Sequence, residues 1–115
     1  MSLARYDQET AGSEHVARGQ EAVALQANIK LLEAAQAKGA SSPEAAAALH
    51  ATRQVWNILI EDLGRADNGL PQQLRADLIS IGLWVLREAE AIRSGRSSNF
   101  AGIIDVTDMI RKGLA

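Results

Sequence analysis

The chain has no cysteine, which excludes a disulfide framework and any thiolate metal site and suits a reducing cytoplasm. Aromatic residues are scarce, with two Trp, one Tyr and one Phe among 115 residues, so the apolar content rests on Ala, Leu and Ile. Without the β-branched alternation of a half-buried strand, that composition predicts an all-α protein. No apolar run approaches the ~20 residues of a membrane span. The start, MSLARYDQETAGSEHVARG, has no apolar signal region, so a soluble, unprocessed, cytoplasmic chain is expected. An excess of one charge is also missing. A formal net charge of −2 with both signs interspersed supplies no basic patch for phosphates and disfavours direct nucleic-acid binding by this chain alone. The same balance argues against an anionic membrane surface.

Catalytic and metal-binding inventories are equally thin. His15 and His50 stand alone, with no HExxH motif, no second nearby His and no glycine-rich phosphate loop, so each reads as a solvated residue. Glu61 and Asp62 are adjacent and point in different directions around a helix, which is wrong for a shared carboxylate site. No enzymatic activity, cofactor or metal is expected.

What is present is helical periodicity with clear punctuation. The length fits one domain. Residues 1–12 lack periodicity and read as a flexible N-terminal arm, leaving residues 13–115 as a single helical domain. A first helix is expected from just after Ser13 to about Lys38, where Gly39 ends it. Ser42 as N-cap, Pro43 at the first helical position and Glu44 in the first turn start a second helix that runs to about Leu63. Ala45, Leu49, Thr52, Trp56, Leu59 and Leu63 share its core face, widened by Val55 and Ile60. Gly64 to Gly69 is a turn, Pro71 starts a third helix and Gly95 stops it. Ser98 or Asn99 can cap a last helix in which Phe100, Ile103, Thr107, Ile110 and Leu114 share a face. Short connections favour antiparallel neighbours, so the expected architecture is a small bundle of about four helices, from which the long first helix could project.

Two helices carry more apolar surface than one contact uses. On the first, Ala22, Leu25, Ile29 and Leu32 form a stripe while Val16, Val23, Ala27 and Leu31 lie towards the opposite side. On the third, Leu74, Leu78, Ile81, Val85 and Ile92 form a stripe that Ile79, Gly82, Leu83 and Leu86 extend sideways. Trp84 falls among Asp77, Ser80, Arg87 and Glu88 and needs cover. Val16, Val23, Leu31, Ile79, Gly82, Leu83, Trp84 and Leu86 are therefore the candidate partner-binding positions. The cover is a further helix of this chain, a second copy in a homo-oligomer, or another protein. Arg75 is placed either to lay its stem on apolar surface or to pair with Asp62 across the turn.

Four blocks, Trp56 to Asp62, Asn68-Gly-Leu-Pro71, QLRADLISIGLWV and IIDVTDMIRKGLA, together resemble the flagellar biosynthesis regulator family FlaF in order and spacing. The resemblance is strong over the C-terminal half and weak over the first helix. It implies a non-enzymatic cytoplasmic protein that promotes flagellin synthesis or secretion, as a flagellin-binding chaperone or adaptor working with the FlbT regulator. A second reading is a post-transcriptional regulator acting on flagellin mRNA, directly or through an RNA-binding partner. Leu59, Asp62, Leu70, Pro71, Leu74, Arg75, Ile79, Ser80, Leu83, Trp84, Val85, Ile104, Asp105, Ile110, Gly113 and Leu114 carry the family pattern. The chain departs from it at Gly82, where a larger or Ala-like residue is usual, and at Thr107, where Asn is more typical. Gly82 weakens a helix by ~1 kcal/mol relative to Ala, so it marks either a close helix approach or a site that adapts to a partner.

Overall fold

A computed structural model describes the backbone of residues 4–114 and the side chains of residues 20–113. Helix α1 spans Ala4–Lys38, α2 Pro43–Gly64, α3 Gln72–Arg93 and α4 Phe100–Leu114, with no strand among the described residues. The helix starts at Ala4, ahead of the boundary expected just after Ser13. Gly12 and Ser13 do not stop it because neither blocks a helical hydrogen bond as proline would, and Ala4, Arg5, Gln8, Glu9 and Ala11 are good helix formers.

The other boundaries follow the local chemistry. Gly39 adopts φ 100, the left-handed conformation that ends α1, and its N–H donates to Ala35 O at 2.8 Å. The Ser42 hydroxyl accepts from Ala45 N–H at 3.0 Å and donates to Gly39 O at 2.7 Å, tying the loop to the start of α2. At the end of α3, Arg96 N–H returns to Ala91 O at 2.8 Å. Asn99, one of the two expected caps, starts α4 by accepting from Gly102 N–H at 3.0 Å.

The α2–α3 turn is bound internally. The Asn68 amide donates to Asp62 O and Asp62 Oδ2, each at 3.1 Å, while its oxygen accepts from Leu70 N–H at 3.2 Å. Arg75 corrects the expectation of an ion pair with Asp62. Its guanidinium donates instead to Arg65 O at 2.9 Å and Leu63 O at 3.4 Å, at the C-terminus of α2. Carbonyls orphaned at a helix end attract a cation through both the hydrogen bond and the helix dipole, so the backbone competes with the carboxylate.

The helices pack in a ring: α1 against α2 and α4, α2 against α3, and α3 only lightly against α4, while α1 and α3 stand diagonally apart. The molecule is 53 Å along its longest axis against 23 and 18 Å across. The 35 residues of α1 account for that length at about 1.5 Å per residue, so α1 is the long rod of the structure and overreaches the 22-residue α2 and α3. The core joins Leu25 and Leu32 of α1, Leu49, Trp56 and Leu59 of α2, Val85 and Ile92 of α3, and Phe100 and Ile103 of α4. All six core-face positions expected on α2 are buried. On α3 the buried face is instead Gly82, Val85, Ala89 and Ile92. Leu74, at the head of the expected stripe, is 43 % exposed.

Candidate partner-binding surface

The eight candidate positions do not form one surface. Val16 lies outside the described side chains, as does His15. Val23 is 71 % exposed and Leu31 41 % exposed, and with exposed Ala24, Ala27 and Ala34 they form an apolar strip along α1. Leu25, Leu32 and Ala35, fully buried on the other side of the helix, fix its orientation, so the strip points away from the core. At spacings of three and four residues its members are neighbours on the helix surface.

On α3, Leu83 is 42 % exposed and Ile79, one turn before it, is half-buried. This shoulder belongs to a helix whose backbone does not approach α1 closely among the described residues. Apolar excess on two helices is thus divided between an outward strip of α1 and a smaller patch on α3. Leu86 and Trp84, both half-buried, pack against the core instead. Part of the cover that Trp84 needs is supplied within this chain.

Gly82 is buried. A Cβ there would lie 2.9 Å from the Ile60 side chain and 3.2 Å from the Trp56 ring, so the missing side chain is what lets α3 approach α2. Of the two meanings of this glycine, close helix approach is the one the packing supports. The expected behaviour of its neighbours follows from the same geometry. Leu83→Asp should fold with stability within about 1 kcal/mol of the parent, because an exposed position tolerates charge. Trp84→Ala should lose roughly 1–2 kcal/mol of apolar burial. Urea denaturation of the two variants checks the order, and a larger loss for Leu83→Asp would reverse the assignment.

Among the described residues several charged groups sit in short-range pairs. Arg65 pairs with Asp67 at 3.1 Å, Arg93 with Glu90 at 2.6 Å, and Asp108 with both Arg111 at 2.7 Å and Lys112 at 3.0 Å. The hydrogen bond from Arg65 holds the Asp67 carboxyl below the usual carboxylate range, and those from Arg111 and Lys112 do the same for Asp108. These are local surface pairs that carry little stability. His50 is exposed, and no group of His or carboxylates among the described residues could hold a metal ion. No described helix is long and apolar enough to cross a membrane.

Sequence reasoning missed a polar feature of the interior. Asn28 on α1, Thr52 on α2 and Thr107 on α4 are all buried. Thr52 Oγ1 lies 3.0 Å from Asn28 Oδ1 and 2.8 Å from Ala48 O. Thr52 and Thr107 stand on expected core faces, and the signal for Asn28 in the sequence is an Asn inside a helical stripe.

No curated protein and no solved structure matches the chain. The family model for the flagellar protein FlaF matches residues 2–114, and so takes in α1 as well as the four resembling blocks. With nearly the whole chain matched, and a helical bundle whose α2, α2–α3 turn, α3 and α4 contain the four resembling blocks, this protein belongs to the FlaF family of flagellar proteins.

Proposed function

We propose that this protein acts without catalysis, in the cytoplasm, as a chaperone or adaptor that binds flagellin and promotes its synthesis or secretion together with an FlbT-type regulator. The observation that carries the reading is the outward strip of α1, where Val23, Ala27 and Leu31 stay in solvent although the helix has already buried its other face. Apolar side chains at three- and four-residue spacing are the anchors by which one amphipathic helix recognises another. Family membership supplies the flagellar context. The Ile79–Leu83 shoulder on α3 offers a second, separate surface, which lets an adaptor hold two partners without competition.

Calorimetric titration of the purified chain with its cognate flagellin tests this reading. Association at micromolar concentrations is expected. Val23→Asp combined with Leu31→Asp should weaken it at least about tenfold, a loss of ~1.4 kcal/mol, with the helical content and melting temperature retained. Absence of association at tens of micromolar overturns the chaperone reading, and full affinity in the double variant removes the α1 strip from it.

A further inference from the structure

We propose that α4 is a strap that leaves its seat on α1 as a unit while α1, α2 and α3 stay packed together. Its backbone approaches α1 closely and α3 at few points, and does not approach α2 closely among the described residues, while Phe100 and Ile103 reach into the shared core. With 15 residues it is near the length at which an isolated helix is marginal in water. Gly102 and Gly113 weaken it further.

The buried faces of α1 and α4 also carry polar groups that the closed bundle fails to satisfy. Thr107 is fully buried and its hydroxyl has no hydrogen-bond partner. Asn28 is 2 % exposed and its amide nitrogen is likewise unpartnered. Turning that amide over lets its nitrogen donate to Thr52 Oγ1 while Thr52 donates to Ala48 O, but leaves Asn28 Oδ1 unpaired in its place. The single Thr52 proton serves either Ala48 O or Asn28 Oδ1, and whichever Asn28 atom faces Thr52, the other is left unpaired. Each unpaired group lies well inside its helix, Thr107 seven residues inward from buried Phe100 and Asn28 seven residues inward from buried Ala35. Opening α4 hydrates the Thr107 hydroxyl.

The root of the strap is fixed. Ser97 Oγ donates to Glu88 Oε1 at 2.6 Å, binding the connector to α3, and Asn99 caps the first turn. The Asp108 pairs with Arg111 and Lys112 lie inside α4 and therefore move with it. The helix can open without melting α3, and when it does it uncovers part of the Leu25–Leu32 stripe of α1.

Native-state hydrogen exchange of the full chain in low urea, read by NMR, tests the strap without any partner and so independently of the flagellin reading. The amides of Ile103 to Ile110 should exchange through one common opening, at least about tenfold faster than the buried amides of α2. Thr107→Val keeps the shape and removes the unpaired hydroxyl. It should slow every α4 amide about fivefold or more and leave α2 unchanged. Exchange of α4 together with α2 overturns the proposal, because the bundle then opens only globally. A smooth gradient rising inward from the C-terminus also overturns it, since that pattern is fraying. Faster α4 exchange in Thr107→Val removes the unpaired hydroxyl as its cause.

Discussion

Trp56→Ala should cost about 3–5 kcal/mol, the largest loss of any single truncation in this chain. Trp56 is 1 % exposed and heads the fully buried side chains by volume. Its ring lies under Gly82 of α3, and the residue belongs to the one cluster that joins all four helices. A domain of this size has roughly 5–15 kcal/mol to lose, so the variant should be partly unfolded at 37 °C and give a urea midpoint far below the parent's. The indole N–H complicates the site in a useful way, because it is buried without a partner. Trp56→Phe removes that donor along with part of the ring volume. Its loss should therefore stay within about 1–2 kcal/mol, as relief of an unmade hydrogen bond offsets a small cavity. If Phe and Ala cost the same, the ring is not filling the space between α2 and α3.

Gly82→Leu should be the second large effect, for the opposite reason. Even a Cβ at this position meets Ile60 at 2.9 Å and Trp56 at 3.2 Å, and a leucine pushes the rest of its side chain into that contact. Overpacking of this kind costs typically ~1–3 kcal/mol, against a gain of at most ~1 kcal/mol from replacing glycine in a helix. Gly82→Ala divides the terms. Ile60 is half-buried and can shift, whereas Trp56 cannot, so alanine should lie between the parent and leucine. The two sites must couple. In a Trp56→Ala background the cavity accepts the leucine, and the double variant should be more stable than the sum of the single losses predicts. Urea unfolding of the four proteins in the cycle measures this coupling, and strict additivity would separate Gly82 from Trp56.

The helical class, the number of helices and the α2 core face were legible in the sequence because they depend on local chemistry. Gly39 and Ser42 act on hydrogen bonds within a few residues of themselves, and the α2 stripe has a period that any packed helix must present to its neighbours. The start of α1 was less legible. A segment rich in helix formers without apolar periodicity carries no marker of where the helix begins. On α3 the stripe was legible but its orientation was not. Leu74 and Leu83 are as apolar as any core residue and are exposed, while the glycine between two larger residues is buried. Ranking positions by hydrophobicity cannot find a face whose centre is defined by the absence of a side chain.

The candidate surface divides in the same way. Excess apolar residues on α1 and α3 were visible from spacing alone, and the FlaF resemblance came from four blocks read in order. Which of those residues face solvent depended on which helices become neighbours. Trp84 and Leu86 are partly covered by the rest of the bundle, Gly82 meets Trp56 and Ile60, and Val23 and Leu31 remain exposed. The unpaired polar groups buried on α1 and α4 belong to this second category as well.

By itself the sequence determined an all-helical chain, its turns and its family, since capping, glycine and proline placement and helical period act over a few residues. Only the tertiary structure decided which apolar face became core and which stayed in solvent. Burial is a relation between helices distant in sequence, set by how closely their backbones approach, and at the α2–α3 contact that distance is set by Gly82.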